Sequence, residues 1–557
     1  MLARAIAFWV AQSAKRRLKK FEQSLEQCRK AQLQLLQNIL RTNQESEYGR
    51  QHDFATIDTY ADFIQSVPLS NYGYVRPYID RCRQGDTNAL FGPGQDIVQY
   101  ALTSGTTAPA KYIPITSEFL HGYQRGWEIW GYKAISDHPD SYLRKILQVT
   151  GDAEEQCTES GVPCGAISGV LARHQRYIVR QAYATPYRVS QIPIAADRYY
   201  TIMRFAVMQD IAFISTANPS TILVLAQTAA ERAESLIRDI HDGTLDTQLS
   251  LPREMREQFE LRVKKNPVRA KELEGLLQSH GRLLPMHYWR LSFLANWTGG
   301  TLGMYLPRLA EYYGPVPIRD IGLLASEGRI TIPVADNTPE GILDIQANFY
   351  EFVPQEEYDL LDDPQAEDTL KQDLPVLQAS QLEKGKCYYI FLTNYAGLYR
   401  YNLGDLVRVT DHVHTAPVLE FLSKGAHSSS ITGEKLTEKQ VVDAVRTVAD
   451  ELAVTLESFI MAPQWDDLPH YRLYLASQQP LPRQDLDRLA MRIEQRLIMS
   501  NIEYESKRDS ERLGMLEVRQ APARVLAEKD EQILQANQGR REQFKHRFLY
   551  NQPLELE

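Results

Sequence analysis

The stretch Tyr100-Ala-Leu-Thr-Ser-Gly-Thr-Thr-Ala-Pro-Ala-Lys111 decides how the chain is read. Ahead of it and running into it, Ile97-Val-Gln-Tyr-Ala-Leu102 has the β-branched and aromatic character of a strand, and Ile113-Pro-Ile115 begins another. Between them Thr103, Ser104, Thr106 and Thr107 surround Gly105, and Lys111 follows. Hydroxyls, a flexible backbone and a cation make a phosphate-wrapping loop, because successive N–H groups in such a turn converge on an anion. A Walker A loop needs Gly-Lys-Ser/Thr at the opening of a helix. Here Lys111 stands between Ala110 and Tyr112 and leads into a strand instead. Alone, the stretch is equally well a polar hairpin turn.

The rest of the chain limits what such a loop can serve. Its 557 residues exceed one compact core, so two or three domains are expected. A composition 43% hydrophobic and 24% charged is that of a soluble globular protein. A net charge of −9 argues against a large nucleic-acid-binding surface. Cys28, Cys82, Cys157, Cys164 and Cys387 are scattered and form no Cys-x-x-Cys pair, which supports neither a disulfide framework nor a zinc ribbon. A cytoplasmic, reducing compartment is expected. No apolar run approaches the roughly 20 residues of a membrane span. At the N-terminus, Leu2, Ile6, Phe8, Trp9 and Val10 precede the basic run Lys15-Arg-Arg-Leu-Lys-Lys20, the wrong order for a signal peptide. A basic amphipathic helix there can touch a membrane surface; the favoured reading is a helix packed on its own domain.

Hydrophobic spacing predicts helix over residues 1–50, with Gly49 ending it. From about 95 to 425, strand patterns (Ile146–Thr150, Ile211–Ser215, Ile318–Leu324, Gly341–Phe352, Tyr388–Thr393) alternate with helical ones. The helical patterns are Arg198–Val207, Thr228–Asp242, Pro252–Asn266, Ala270–His280 and Thr301–Tyr312. The alternation gives an α/β (α+β) fold. The small polar run Ser423–Ser430 reads as a hinge. Beyond it a helix Glu438–Leu452, a strand Tyr471–Leu475 and a helix Arg483–Met499 suggest a small α/β lid. The expected domains are therefore 1–425 and 426–557.

Four further places carry chemistry. Glu327, between Ser326 and Gly328 at a strand end, suits a Mg²⁺ ligand beside a triphosphate; the alternative is an exposed loop glutamate. Asp405 follows Gly404 in Tyr395-Ala-Gly-Leu-Tyr-Arg-Tyr-Asn-Leu-Gly-Asp405 and can accept ribose hydroxyls, or be a β-turn aspartate. Lys435 lies in Ile431-Thr-Gly-Glu-Lys435, at the entry of the lid, with Thr437 placed to cap the helix from Glu438. Lys545 sits on the basic tail Gly539–Arg547, where it can bring charge to a displaced phosphate. Each lysine is also readable as a solvated surface residue.

The order of these places is that of adenylate-forming enzymes. Within them the chain resembles the GH3 family of acyl acid–amido synthetases, which includes the plant auxin- and jasmonate-conjugating enzymes. The resemblance runs over residues 32–550. It is carried by Glu47-Tyr-Gly-Arg50, Val67-Pro-Leu-Ser-Asn-Tyr72, Pro77-Tyr-Ile-Asp-Arg81, Ala217-Asn-Pro-Ser220, Trp297-Thr-Gly-Gly300, Tyr350-Glu-Phe-Val-Pro354, Ala396-Gly-Leu-Tyr-Arg-Tyr401 and Gly433-Glu-Lys435. It implies a large N-terminal domain, a small C-terminal domain that rotates during turnover, and a monomer. The loose match to the plant members points to a bacterial one. The implied reaction adenylates a small carboxylic acid with ATP and Mg²⁺, then transfers the acyl group to an amino acid. By position Thr103, Ser104, Gly105, Thr106, Thr107 and Lys111 would hold phosphate, Ser326 and Asp405 would bind the nucleotide, and Glu327 would face Mg²⁺. Lys435 and Lys545 would approach the adenylate. Two departures stand out: Leu323-Leu324 where relatives place Tyr-Gly, and Ala108 where many carry glycine. Gly161-Val-Pro-Cys-Gly-Ala-Ile-Ser-Gly169 either lines the acyl pocket or is a tight loop. A thiol acceptor such as coenzyme A, and a non-catalytic nucleotide sensor, are the competing functions.

Overall fold

The N-terminal helical pattern folds as three helices, Leu2–Leu25, Cys28–Asn43 and Glu47–Gln51, rather than one. The first break is made by Thr415, reached from far along the chain. Its hydroxyl donates to the Leu25 carbonyl at 2.9 Å and accepts the Cys28 amide at 3.1 Å, satisfying both helix ends. Ser46 caps the third helix through the Gly49 amide. Gly49 therefore does not end the pattern; a Cβ there would collide with the Asn43 carbonyl. Phe21 and Leu25 are buried in the main core, and Arg17 pairs with Glu128 on the helix Ser117–Asp137.

This is a computed structural model of the protein. It describes residues 2–103, 111–299, 302, 305–358, 374–425, 428–477, 479–526, 528–529, 547–554 and 556. The described residues form two compact units divided between Leu422 and Ser423. No helix among them is long and apolar enough to cross a membrane.

The larger unit is a mixture of helices and three main sheets, as the α/β (α+β) reading expects. One sheet is parallel and four-stranded, in the order Lys145–Gln148, Ile211–Ser215, Phe293–Ala295, Ile318–Arg319. A second four-stranded sheet pairs Ile97–Thr103 antiparallel with Lys111–Thr116 and parallel with Pro163–Gly165. The third is seven-stranded. Within it Cys387–Thr393 pairs antiparallel with Phe349–Pro354 on one side and Tyr401–Val413 on the other.

Several predicted elements are shorter or interrupted. Ile318–Leu324 breaks after Arg319, because Asp320 folds back to accept the Gly322 amide and Gly322 takes φ +94°. Gly341–Phe352 divides into Gly341–Leu343 and Phe349–Pro354. Thr228–Asp242 covers the end of one helix and the whole of the next, with non-helical Arg232 between them. The Pro252–Asn266 pattern gives a helix only over Arg253–Glu260. In the Thr301–Tyr312 pattern the helix is Leu306–Tyr313, and residues 301, 303 and 304 lie outside those described. Gly161–Gly169 is a strand, Pro163–Gly165, running into a helix from Ile167. A Cβ at Gly169 would stand 2.6 Å from both the Ala153 amide and the Gly151 carbonyl. Its smallness permits this close backbone contact.

The smaller unit joins Leu456–Gln464, His470–Ser477 and Glu517–Gln520 in one sheet. The first pair is antiparallel. The second is parallel, with the helix Arg483–Ser500 in its crossover. Glu438–Glu451 packs on the same apolar core. Of the predicted hinge, Ser428–Ser429 is a strand paired with Leu436–Thr437, and residues 426 and 427 lie outside those described.

Candidate active site

In an open parallel sheet, ligands bind outside the carboxyl ends of the strands. Three segments meet that edge here: Asn218–Ser220 after Ile211–Ser215, Trp297–Gly299 after Phe293–Ala295, and Asp320–Gly322 after Ile318–Arg319. Asn218 caps the helix Pro219–Glu231, accepting the Ser220 amide at 2.9 Å and hydroxyl at 2.7 Å. Asp320 fastens the other two segments together. It accepts the Thr298 amide at 2.6 Å, the Thr298 hydroxyl at 2.7 Å and the Gly322 amide at 2.6 Å. Trp297 Nε1 donates to the Gly322 carbonyl at 2.7 Å. Asp320 escaped the sequence reading; an Asx turn, Asp-x-Gly, was the only available signal.

The chain then turns through a tight hairpin, Leu324–Ala325 against Gly328–Arg329, with Ser326 and Glu327 at its tip. Its backbone is clamped from several elements. Tyr123 donates to the Ala325 carbonyl at 3.2 Å and Asn394 Nδ2 to the Glu327 carbonyl at 2.7 Å. Asn348 and Tyr350 donate to the Arg329 carbonyl at 2.8 and 2.9 Å. A Cβ on Gly328 would stand 2.8 Å from Asn348 Oδ1, so glycine is required there. The buried Arg329 guanidinium donates to Ile321 and lies over the Trp127 ring. Glu327 is only 7% exposed, which removes the exposed-loop alternative. Ser326 beside it is half-buried, as are Leu323 and Leu324, which pack against the main core.

Asp405 reaches the same place from the seven-stranded sheet. Cross-strand partners jump from Asn402↔Phe391 to Leu406↔Tyr389, so Leu403, Gly404 and Asp405 form a bulge opposite Ile390. Gly404 takes φ +74° and its amide donates to Asn402 Oδ1 at 3.0 Å. The bulge turns Asp405 inward, where it is 3% exposed. Tyr401 is the meeting point. Its hydroxyl points at Glu327 Oε1 over 3.5 Å. Burial first, then the nearby Glu327, Tyr72 and Asp405, push this phenol well above its ordinary range, so it stays a neutral donor.

Tyr72, which carried no role in the sequence reading, ties this cluster to the loop strands. Asn71 caps the helix Tyr72–Arg83. Neighbouring Ser70 is hydrogen-bonded along Tyr399–Asn402: its amide donates to Arg400, its hydroxyl to Tyr399, and its carbonyl accepts the Asn402 amide. The Tyr72 hydroxyl accepts the Tyr112 amide at 2.8 Å, and Lys111 Nζ lies 5.4 Å from the Tyr72 ring centre. Lys111 is paired across the strands with Thr103. Ser104, Gly105, Thr106 and Thr107 lie outside the described residues, as does Lys545. The larger unit thus gathers Glu327, Asp405 and Tyr401 into one buried acidic cluster and brings Tyr72 with Lys111 beside it.

Lys435 belongs to the smaller unit. It is half-buried with a left-handed backbone (φ +48°), and its amide donates to Ser430 Oγ at 3.3 Å. Nearby, Glu503 and Lys507 form an ion pair of 2.9 Å. Burial pushes the Glu503 carboxyl up, but Lys507 and Lys435 outweigh it and hold it below the usual carboxylate range. Thr437 caps the helix Glu438–Glu451 in a full capping box with Gln440, as the sequence predicts.

Among the described residues no cluster of three or more metal-ligating side chains exists. Magnesium does not require one: it is commonly held by one or two carboxylates, with phosphate oxygens and water completing its shell. A single buried carboxylate, Glu327, fits that pattern.

Comparison with known proteins places most of the chain. Residues 17–318 match the GH3 family N-terminal domain, 341–424 its central domain and 439–553 its C-terminal domain. The chain is 25% identical over 455 residues to a jasmonoyl–L-amino acid synthetase, GH3.5, of Oryza sativa subsp. japonica, covering 78% of this chain and 77% of the relative. It is 26% identical over 449 residues to an indole-3-acetic acid-amido synthetase, GH3.10, of Arabidopsis thaliana, covering 76% and 75%. Among solved structures, the acyl acid amido synthetase AtGH3.15 in complex with 2,4-DB superposes with a TM-score of 0.66 at 18% identity, over 97% of this chain and 95% of that one.

Proposed function

The chain belongs to the GH3 family, and from that premise we propose the reaction of its site. The protein is an acyl acid–amido synthetase, an ATP-dependent ligase that forms a carbon–nitrogen bond between a carboxylic acid and an amino acid. In the first step a carboxylate oxygen attacks the α-phosphorus of ATP. The bond to the bridging oxygen breaks, leaving an acyl-adenylate and pyrophosphate. In the second, the amino acid nitrogen attacks the acyl carbon, the bond to AMP breaks and the amine loses a proton.

The observation that carries the residue assignments is the cluster in which buried Glu327 and Asp405 converge on Tyr401. Glu327 would hold the Mg²⁺ that accompanies the triphosphate and neutralises part of its charge. Tyr401, a neutral donor beside that carboxylate, would orient it. Asp405 would accept the ribose hydroxyls, and Ser326 would contact the nucleotide. Thr103, Ser104, Gly105, Thr106 and Thr107 would wrap phosphate, with Lys111 adding charge at the mouth of the loop. Leu323 and Leu324 would pack against the base without the ring stacking a tyrosine gives. Lys435 and Lys545 would bring positive charge to the adenylate from the smaller unit, through a rotation about the hinge expected at Ser423–Ser430. Such chemistry depends mainly on positioning and charge neutralisation, so these groups suffice. A cytosolic setting suits the free thiols of Cys28, Cys82 and Cys164.

The test is ATP- and Mg²⁺-dependent pyrophosphate release against small aryl and alkyl carboxylic acids, with and without pooled amino acids. Acid-dependent release, AMP and a product of amide mass are expected. A thioester formed with coenzyme A, and no amide with any amino acid, would overturn the acceptor. Glu327→Ala or Lys545→Ala releasing pyrophosphate at the parent rate would overturn that residue's role.

A further inference from the structure

We propose that Glu434 is a positioning residue whose carboxylate, sealed inside the Ser430–Lys435 loop, fixes how Lys435 is presented. The inference rests on the role proposed above for Lys435. Ser428–Ser429 pairs antiparallel with Leu436–Thr437, so the chain between them closes as a hairpin loop. Glu434 lies within it at 0% exposure. Its carboxylate accepts the Ile431 amide at 2.6 Å, the Thr432 amide at 2.7 Å, the Thr432 hydroxyl at 2.9 Å and the Tyr471 hydroxyl. A carboxylate has about four lone-pair sites. Filled by these donors, it has no lone pair left to take a proton from substrate or hold a metal, so its contribution is geometric. Charge-assisted bonds to backbone amides are among the strong ones.

The next links of the chain are fixed as well. The Glu434 carbonyl accepts Asn501 Nδ2 at 3.0 Å, and the Lys435 amide donates to Ser430 Oγ at 3.3 Å. Gly433 at φ +101° and Lys435 at φ +48° flank the locked residue. For glycine that backbone is ordinary; for lysine it is unfavourable and persists only where the surroundings over-determine it. The anchors belong to the unit's own framework. Tyr471 is on the strand His470–Ser477 and is part of the core, and Asn501 caps the helix Ile502–Asp509. That helix carries the Glu503–Lys507 pair beside Lys435. The loop is therefore a rigid mount that sets the direction of one lysine.

The experiment uses the full chain, with Glu434→Gln, which keeps size but loses acceptors, and Tyr471→Phe, which removes one donor. Hydrogen exchange of peptides covering 428–437, and the rate of Lys435 acetylation by acetic anhydride relative to Lys507, need no acid substrate. We expect exchange to rise about tenfold or more in Glu434→Gln, less in Tyr471→Phe, and the relative labelling of Lys435 to change in both. With an acid that turns over, amide formation by Glu434→Gln, Lys435→Ala and the double variant forms a cycle. Glu434→Gln should lose about tenfold or more alone and little further once Lys435 is gone. Unchanged exchange and labelling in both single variants would overturn the proposal. So would an equal Glu434→Gln loss with and without Lys435, since the acid then acts through something else. Parent-like amide formation by Lys435→Ala would overturn the role of Lys435 itself, an outcome read apart from the other two.

Discussion

The Glu327 hairpin and the Lys435 loop are both short turns carrying a charged residue, yet they are built in opposite ways. The Glu327 hairpin is held from a distance: Asn394 and Tyr401 are 67 and 74 residues away, and Tyr123 is 202. The Lys435 loop is held mostly by itself, through Glu434 and amides two and three residues away. The first can form only when the larger unit is essentially complete. The second needs little beyond Tyr471 and Asn501. Damage should therefore spread differently from the two places.

The largest effect should come from the buried ion pair under the distant framework. Arg400 Nε donates to both Glu351 oxygens at 3.1 and 3.0 Å, and Tyr60 donates to the same carboxylate at 2.8 Å. Arg400 Nη1 also donates to the Val67 carbonyl at 2.9 Å, which fixes the segment leading to Ser70 and Tyr72. Arg400→Ala leaves a buried carboxylate uncompensated and should cost the larger unit about 3–5 kcal/mol. Exchange in Phe349–Pro354 and Cys387–Thr393 should rise and pyrophosphate release should vanish, while Leu456–Gln464 stays protected. Equal loss of protection in the smaller unit would break the comparison.

Next in size is the charge at the tip of the hairpin. Glu327→Gln should lower acid-dependent pyrophosphate release about a hundredfold, the scale seen when one aligned electrostatic contact is removed. Exchange in the hairpin should barely change, because Asn394 holds the Glu327 carbonyl rather than its carboxylate. A variant that instead loosens the hairpin would mean the side chain is structural.

The same contrast explains what was legible in the sequence. Strands such as Ile211–Ser215 and the capped helix from Glu438 were readable because periodicity and caps are local signals. The break at Cys28 was not, because it depends on Thr415, 387 residues away. The Ile318–Leu324 run looked like one strand because apolar residues continue past Asp320; its side chain, not hydrophobicity, ends the pairing. Of the candidate site, Glu327 and Asp405 were legible through their order along the chain, whereas Asp320 was not. Tyr401 and Tyr72 were quoted as family residues without a role, since a tyrosine's chemistry depends on which acids the fold sets beside it. Glu434 was likewise visible only as part of Gly-Glu-Lys.

Acidification should move the contributions of one carboxyl group in each unit, Asp320 and Glu517, in opposite senses. In the larger unit, burial pushes the Asp320 carboxyl up to about 6, although the Thr298 and Gly322 donors pull the other way. Its folded value lies above the unfolded value of about 3.9. Its contribution to stability is therefore greatest below about 3.9 and is lost as pH rises through about 6. In the smaller unit, burial pushes Glu517 up, but Arg472 and Arg519 outweigh it and hold its carboxyl down to about 2. That contribution is present above about 4.3 and is lost as pH falls toward 2. Urea titrations read by brief exchange pulses, on the parent, Asp320→Asn and Glu517→Gln, should show parent-minus-variant differences of opposite slope. Slopes of the same sign would mean that one of the two environments is misassigned.

The smallest effect sharpens the local half of the comparison. The Thr437 hydroxyl accepts the Gln440 amide at 3.3 Å, and Gln440 Oε1 accepts the Thr437 amide at 3.0 Å. Gln440 also donates to the Ser500 carbonyl at 2.8 Å, joining the helix start to the end of Arg483–Ser500. Thr437→Ala removes the cap and should cost about 1 kcal/mol, seen as a lower urea midpoint in the smaller unit alone. Thr437 lies only two residues from Lys435 and its backbone pairs with Ser428, but the cap it forms with Gln440 runs forward into the helix, whereas the carboxylate bonds of Glu434 to Ile431 and Thr432 run back into the loop. Turnover should therefore stay near the parent value in Thr437→Ala and fall in Glu434→Gln. If Thr437→Ala slows amide formation as much, Lys435 is oriented by the helix start, and the loop is no more self-contained than the Glu327 hairpin.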